Sequence, residues 1–207
     1  MSNINTIETL EDILVEVSCS ECARTNNQQF WLYNLNTIGI MHDAAPHEEE
    51  TGHSDYTAAI VTGVFDEHVE LPLREMQDLS WTLREITQQI PLQASILYCN
   101  ARKLLPCDPS DVIDAYSGFY IDGFNEFVHA QAGNMIAYGD TDNIRRYLNR
   151  RELSDEQAEK IIESNDPAKI MEFFDYDKLE ADLEKQYFAI DGMMNGMSGC
   201  FVYSLSF

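Results

Sequence analysis

The first part of the chain alternates short β-rich runs with polar segments. These runs stand at residues 13–17, 30–33 and 57–65, and their β-branched and aromatic residues favour strands. A polar segment at residues 42–53, rich in His and Glu, separates the second run from the third. The pattern predicts a strand-rich N-terminal region.

The period of the hydrophobic pattern changes after the Leu71-Pro72 break. Apolar residues then recur at steps of three and four, which predicts an amphipathic helix of about four turns. The positions are Met76, Leu79, Leu83, Ile86 and Ile90. Pro91 starts a second helical stretch and Pro106 stops it, so the middle of the chain is predicted to be helical.

The remainder of the chain is predicted to be mainly helical, because polar caps recur along it. The helix-start signals are Asp122 (with Gly133 ending that helix), Ser154 with Gln157, Asp166 before Pro167, and Asp177. Large apolar residues alternate strictly with other residues at the end of the chain, at Phe201, Tyr203, Leu205 and Phe207. That alternation predicts a closing β-hairpin.

These patterns together predict an α+β fold, built as an elongated chain of small subdomains. We expect an acidic strand-rich N-terminal domain at residues 1–73 and a near-neutral helical middle domain at residues 74–108. An acidic helical C-terminal domain with the terminal hairpin is expected at residues 109–207.

Charge changes this picture most. The chain has 36 Asp and Glu against 13 Lys and Arg, a net charge of −23. Residues 1–73 hold 13 acids and one base, and residues 152–191 hold 13 acids and four bases, while residues 74–110 are neutral. Duplex DNA carries about one charge per 1.7 Å, so 23 charges match roughly 39 Å of duplex. The two acidic blocks suggest competition with DNA for a basic groove.

The composition excludes several other classes. Intrinsic disorder is disfavoured because 10 Phe, 10 Tyr and two Trp residues can build a core. No segment has the apolar length of a membrane span, and residues 1–16 carry acids where a signal peptide needs positive charge. Five cysteines fit reduced thiols, so we expect a cytoplasmic protein with no membrane partner.

Few residues are arranged as catalytic or metal-binding groups. His42, His47 and His53 fit no established zinc spacing, and Cys19 and Cys22 form a single CxxC pair. A redox CxxC is expected at a helix start, whereas this pair follows a strand and leads into polar sequence. No nucleotide-binding or hydrolase motif occurs. We therefore expect a protein that is not an enzyme, with no catalytic residues, no cofactor and no metal site.

Arg145, Arg146, Arg150 and Arg151 form the one basic cluster. We expect them to pair with nearby acids such as Asp140, Asp142 and Glu152 rather than to bind nucleic acid, because the surrounding chain would repel phosphates.

Two acidic stripes lie at helical spacing. Asp155, Glu159 and Glu163 recur every four residues, so one helix face carries them about 6 Å apart. Asp177, Glu180 and Glu184 repeat at steps of three and four. Like charges at that spacing destabilise an isolated helix by a few tenths of a kcal/mol per pair, so each stripe is either a solvated face or a binding face. Two stripes together with the N-terminal acidic block favour binding.

Three stretches of the chain carry recognisable motifs: residues 116–127 read YSGFYIDGFNEF, residues 173–183 read FFDYDKLEADL, and residues 187–190 precede a closing aromatic strand. These stretches resemble the ArdA-type antirestriction proteins, which are DNA mimics. Residues 116–127 are similar to the family's Y-x-G-x-Y-x-S/D-x-x-D/E-F region. Residues 173–183, FFDYDKLEADL, are similar to its YFDYE-x-x-A-R-DL run, with Ala181 where the family has Arg. Residues 187–190 with the closing aromatic strand form the third stretch, and residues 70–73 resemble the family's middle region. The resemblance covers about two thirds of the chain and does not extend to residues 1–40.

The resemblance implies a homodimer that occupies the DNA groove of a Type I restriction-modification enzyme and binds no nucleic acid itself. Phe124, Phe127, Phe174 and Tyr176 are expected in the core or at the dimer contact. The acids expected to stand in for phosphates are Asp155, Glu159, Glu163, Asp175, Asp177, Glu180, Asp182, Glu184, Glu48, Glu49, Glu50, Asp66, Glu67 and Glu70.

Three alternatives remain open at this stage. The target could be another nucleic-acid-binding defence complex, such as a CRISPR effector. The chain could instead be a metal-binding or hydrolytic protein that uses the His42–His53 loop with Cys19 and Cys22. It could also be an acidic adaptor unrelated to DNA.

Overall fold

The structure is a computed structural model that describes residues 7–25, 29–40, 51–103, 105 and 108–205. It contains helices and two antiparallel sheets, so the fold class is α+β, as predicted. The chain divides into two compact units, Met1–Tyr116 and Ser117–Phe207. The division into three domains at residues 73 and 108 stays a prediction.

The first unit contains a four-stranded sheet. Its strands are β1 (Leu14–Cys19), β2 (Phe30–Asn34), β3 (Tyr56–Ile60) and β4 (Glu70–Pro72), in the order β2-β1-β3-β4. Val15 and Val17 on β1 and Ala58 on β3 are fully buried, and their neighbours along each strand are more exposed. This alternation places one face of the sheet in the core. The first three predicted strands are thus confirmed, although the third ends at Ile60 rather than at residue 65.

Helices accompany this sheet in the first unit. They are α1 (Ser20–Arg24), α2 (Leu35–Ile40), α3 (Leu73–Ile86), α4 (Leu92–Arg102) and α5 (Pro109–Ala115), with a 3-10 turn at Leu10–Asp12. The four apolar positions predicted within α3, from Met76 to Ile86, are fully buried. Helix α3 packs on α2. There the Ser80 hydroxyl donates a 2.8 Å hydrogen bond to the carbonyl of Leu35.

The second unit combines five helices with a three-stranded sheet in the residues that the structure describes. Its elements are β5 (Tyr116–Tyr120), α6 (Phe124–Ala137), α7 (Thr141–Tyr147), α8 (Asp155–Ser164), α9 (Pro167–Glu172), α10 (Tyr176–Leu183), β6 (Tyr187–Met194) and β7 (Met197–Ser204). Strands β6 and β7 form the predicted terminal hairpin, and the sheet order is β5-β7-β6.

The core of the second unit is aromatic. Phe127 is buried and packs edge-on against Tyr120 and Tyr187, at centroid distances of 5.3 and 4.9 Å. Phe174 is also buried, and Phe124 and Tyr176 pack against the same cluster. The four aromatic residues singled out from the sequence therefore lie in or against this core, while a role at a dimer contact stays a prediction.

Two of the predicted caps are confirmed, and three predictions of helix ends were wrong. Ser154 and Gln157 form a reciprocal capping box on α8, and Asp166 caps α9 with Pro167 at its first position. Helix α6 begins after Gly123 instead of at an Asp122 cap. It continues through Gly133, because burial of the helix's apolar side chains outweighs the low helix propensity of one glycine.

Helix α10 was predicted to open at Asp177, but Asp175 caps it. The Asp175 carboxylate accepts a 3.0 Å hydrogen bond from the backbone N–H of Lys178. Both acids have suitable side chains, and the one that precedes the first helical turn takes the cap. Within the described ranges, no helix combines the length and the apolar character needed to cross a bilayer.

Candidate functional site

The acidic stripe on α8 is divided between paired and unpaired carboxylates. Asp155 forms an ion pair with Arg150, and Glu159 forms one with Arg145. Glu163 lies one turn further along the helix, is exposed, and has no ion-pair partner among the described residues. The three acids predicted to act alike therefore differ in how much charge they present to a partner.

Arg145 holds Glu159 through two hydrogen bonds. Its Nε donates to Oε1 at 2.8 Å and its Nη2 donates to Oε2 at 2.9 Å, which is the bidentate geometry of strong Arg–carboxylate pairs. A third donor of Arg145, Nη1, reaches Asp142 at 3.1 Å. The hydrogen bonds from Arg145 lower the pKa of Glu159, and the pKa of the Arg145 guanidinium is raised in return.

The acids of α10 are divided in the same way. Asp182 is largely covered and accepts hydrogen bonds from Arg146 at 2.6 Å and Lys185 at 2.9 Å. The Tyr147 hydroxyl donates to it at 3.2 Å. The hydrogen bond from Lys185 is the largest cause of a lowered Asp182 pKa. Asp182 is therefore tied into the fold and presents little free charge.

Three other acids of this region point away from the core. Asp177 and Glu184 are exposed and Glu180 is half-buried. None of the three has an ion-pair partner within the described part of the chain. Leu179 and Leu183 on the same helix are buried, so the helix presents an apolar face inward and an acidic face outward. Together with Glu163, these acids are called the free acids below.

The arginine cluster pairs with acids, as the sequence predicts, but mostly with other acids than those named. Arg145 reaches Asp142, as expected. Asp140 instead caps α7 by accepting a 3.2 Å hydrogen bond from the backbone N–H of Asn143. The cluster's other partners are Asp155, Glu159 and Asp182, which the sequence assigned to the stripes. The pairs of Arg145 with Glu159 and of Arg146 with Asp182 depend on the packing of α7 on α8 and α10.

In the first unit, the predicted acids Asp66, Glu67 and Glu70 are all exposed. Glu67 lies 4.0 Å from the Nζ of Lys103, and Glu70 lies 3.4 Å from the ring of His68. Both pairs are highly exposed, so solvent screens the attraction between the two groups of each pair. The carboxylates therefore stay open to a partner. Glu48, Glu49 and Glu50 lie outside the described residues.

A second cluster in the first unit joins Cys19, Cys22 and His53. Nδ1 of His53 lies 3.4 Å from the sulfur of each cysteine, and the three possible ligand atoms all lie within 4.8 Å of one another. Cys19 and Cys22 are buried thiols that are not joined in a disulfide, and His53 is half-buried. His42 and His47, the other histidines of the predicted loop, fall outside the described residues.

One statement made from the sequence about this cluster was wrong. The CxxC pair does stand at a helix start, since Cys19 caps α1 and its sulfur accepts a 3.4 Å hydrogen bond from the Cys22 N–H. His53 lies three residues before β3, which pairs with β1 in the register that places Tyr56 opposite Cys19. The sequence signal was present as CxxC, but the pairing that brings His53 to it is long-range.

Backbone contacts fix the segment that carries His53. The Ser20 N–H donates to the Asp55 carbonyl at 2.9 Å, and the Ser54 N–H donates to the Glu21 carboxylate at 3.1 Å. Arg24 forms an ion pair with Asp55 at 3.3 Å. Burial and the neighbouring Cys19 raise the pKa of the Cys22 thiol. The cluster is thus an ordered group of two thiols and one imidazole, held by two strands and a helix.

Comparison of the chain with models of known protein families, with curated proteins and with solved structures found no match.

Proposed function

We propose that this chain is a non-enzymatic, acidic inhibitor that occupies the DNA-binding groove of a Type I restriction-modification enzyme by mimicking duplex DNA. It acts as a homodimer in the cytoplasm of the host cell, needs no cofactor and binds no nucleic acid itself. The choice of a Type I enzyme rests on the resemblance of residues 116–127 and 173–183 to the ArdA-type proteins.

One observation carries this proposal: the acid surplus exceeds what internal ion pairs can neutralise. Residues 117–207 contain 17 Asp and Glu but only eight Lys and Arg. Even if every base neutralised one acid, nine carboxylates would remain for a partner. The free acids on α8 and α10 are members of that remainder. An exposed excess of one sign creates a potential that attracts an oppositely charged groove over a long range.

The paired acids support the proposal in another way. Arg145 binds Glu159 and Arg146 binds Asp182, so these two pairs join α7 to α8 and to α10. Those contacts hold the helices that carry the free acids in fixed positions. A rigid array of charges loses less conformational entropy on binding than a flexible acidic tail would lose. The fold therefore suits a mimic of a stiff polyanion.

The test is inhibition of a purified Type I restriction-modification enzyme by the purified full-length chain. We expect the chain to block DNA cleavage, to be displaced by added duplex DNA, and to leave the chain and the enzyme chemically unchanged. A parallel reaction uses a CRISPR effector complex on the same DNA. If the chain inhibits the CRISPR effector and not the Type I enzyme, the effector becomes the proposed target. Binding to the enzyme that duplex DNA does not displace would contradict mimicry.

A further inference from the structure

We propose that Cys19, Cys22 and His53 form a zinc-binding site. This inference does not depend on the proposed inhibitor function, because it concerns other residues of the chain. Thiolate and imidazole donors are those that Zn²⁺ selects in proteins. The sequence left a metal site open as an alternative that combined the CxxC pair with the His42–His53 loop, but it did not single out His53, which is 31 residues away from Cys22 along the chain.

The distances fit a tetrahedral ion. With Zn–S near 2.3 Å and Zn–N near 2.0–2.1 Å, a tetrahedral site separates sulfur from nitrogen by about 3.6 Å and sulfur from sulfur by about 3.8 Å. The two distances from Nδ1 of His53 to the sulfurs are both 3.4 Å, and all three donor atoms lie within 4.8 Å of one another. Small movements of the three donor atoms therefore suffice for them to bind a zinc ion.

Hydrogen bonding alone explains the arrangement poorly. Nδ1 of a neutral imidazole has one site, either a lone pair or an N–H, so it can serve one sulfur at a time. In this cluster two sulfurs are equidistant from that one atom. A cation placed between the three donors bonds to each of them at once. The geometry is therefore that of a shared ligand rather than of one thiol–imidazole pair.

A disulfide or redox role for the pair is less suited to the structure. A reactive CxxC cysteine needs a partly exposed sulfur that a second thiol can attack. Cys19 is 1% exposed and Cys22 is 5% exposed. Buried thiols that converge on an imidazole are better placed to hold an ion than to exchange disulfides.

The site has a structural consequence for the first unit. It joins the end of β1 and the start of α1 to the segment that leads into β3, where three backbone and side-chain contacts already hold the chain. The described residues supply three ligands, which leaves the fourth position of the tetrahedron to water or to a further donor. Since a ligand that binds only the folded state stabilises it, bound zinc should raise the thermal stability of the protein.

The experiment measures metal binding by the reduced, full-length chain. After removal of metal with a chelator, we expect one equivalent of Zn²⁺ per chain to bind and to raise Tm. Titration with Co²⁺ should produce the visible d–d bands of a tetrahedral ion and the charge-transfer band of thiolate ligands. The substitutions Cys19→Ser, Cys22→Ser and His53→Ala should each lower the affinity at least a hundredfold.

Matched controls use residues of the same types away from the cluster. Cys99→Ser, Cys200→Ser and His68→Gln should keep the wild-type stoichiometry and cobalt spectrum. Circular dichroism compares each ligand variant with the metal-free wild type, so that lost binding is separated from lost folding. If a ligand variant unfolds, the cobalt spectrum of the wild type decides by itself.

Three results would overturn the inference. They are an absence of stoichiometric metal binding by the wild type, binding that survives His53→Ala unchanged, and a native Cys19–Cys22 disulfide found by mass spectrometry. Inhibition of the restriction enzyme is assayed separately, so a failure of the zinc site and a failure of the proposed function are distinguishable.

Discussion

Arg145 on α7 binds Glu159 on α8 through two parallel hydrogen bonds of 2.8 and 2.9 Å, so the central acid of a three-acid stripe is already paired with a base of the same chain. The next acid along the stripe, Glu163, has no such partner in the described residues. Acids that repeat at the same spacing in the sequence therefore have two different roles in the structure. One acid fastens two helices together, and the other presents its charge to solvent.

The first prediction concerns the stability that the Arg145–Glu159 pair provides. Glu159→Gln should lower Tm slightly at neutral pH, because both side chains are more than a third exposed and solvent screens the pair. The pKa of Glu159 is lowered from its usual 4.5, so its contribution is fully present above that pH. The contribution is lost as pH falls through the lowered pKa.

Thermal melts of the wild type and of Glu159→Gln, from neutral pH down to below the folded pKa of Glu159, provide the measurement. The gap in Tm should be constant above about pH 4.5 and should close below the folded pKa, where the wild-type carboxyl is also protonated. Glu163→Gln is the matched control, and it should change Tm little at any of these pH values. A gap that widens in acid would show that the pair does not stabilise the fold.

The second prediction separates the capping role of Asp175 from its charge. Asp175→Ala should destabilise the protein by about 1 kcal/mol, because the Lys178 N–H loses its acceptor. Asp175→Asn keeps an acceptor oxygen and should leave stability nearly unchanged, since Asn and Asp cap about equally well. Urea denaturation of the three proteins measures the difference. Equal losses in both variants would mean that the charge, and not the cap, matters at this position.

The third prediction concerns the close approach of β7 to the end of β5. A methyl group added at Gly199 would overlap the carbonyl oxygen of Tyr120 and would lie 2.7 Å from Cζ of Phe119. Because backbone and packed aromatic atoms must shift, Gly199→Ala should cost about 1–3 kcal/mol.

Gly133 provides the matched control for this change. It lies inside α6, and a methyl group there meets no atom within 4 Å. Gly133→Ala should therefore stabilise the helix by about 0.5–1 kcal/mol. Denaturant unfolding of both variants measures the pair of effects. A Gly199→Ala protein as stable as the wild type would show that β5 does not pack as described.

The fourth prediction compares free with paired acids in binding. A variant with Glu163, Asp177, Glu180 and Glu184 changed to their amides should inhibit the target at least tenfold less well than the wild type. Each exposed charge is worth about 1 kcal/mol or less, so any single change should have a small effect and the four together a large one.

The comparison variant changes Asp155, Glu159 and Asp182 to their amides. It removes nearly as many charges, but these are already paired within the fold. We expect this variant to lose thermal stability more than inhibition, with inhibition measured at a temperature where it remains folded. Equal loss of inhibition in the two sets would indicate that only total charge matters. Loss of all inhibition on one single acid-to-amide change would contradict a distributed mimic.

The parts of the fold that were predictable are those whose signals are local. Ser154 and Gln157 form their capping box because both partners lie within four residues, and the apolar spacing of α3 needs only the helical period. The terminal hairpin followed in the same way from the alternation in β7. Strand β5 was missed, because Tyr116–Tyr120 becomes a strand by joining β7, some 80 residues later in the chain.

The candidate sites show the same limit. The spacing of Glu159 and Glu163 predicted a shared helix face correctly, but whether an acid is neutralised depends on which helix packs beside it. Arg145 lies 14 residues before Glu159, beyond the reach of any local pattern. His53 likewise reaches Cys19 only because β1 pairs with β3. Long-range pairing, rather than composition, decided each of these cases.

The salt dependence of the rate constants tests the proposed mimicry most directly. The association and dissociation rate constants of the full-length chain with the Type I enzyme should be measured from about 50 to about 500 mM salt. Across this range the electrostatic screening length falls from above about 10 Å to well below it. If exposed carboxylates imitate phosphates, association should be fast at low salt and should slow steeply as salt rises, while dissociation changes much less. An association rate constant that does not respond to salt would contradict the proposal and would mean that apolar contacts dominate binding.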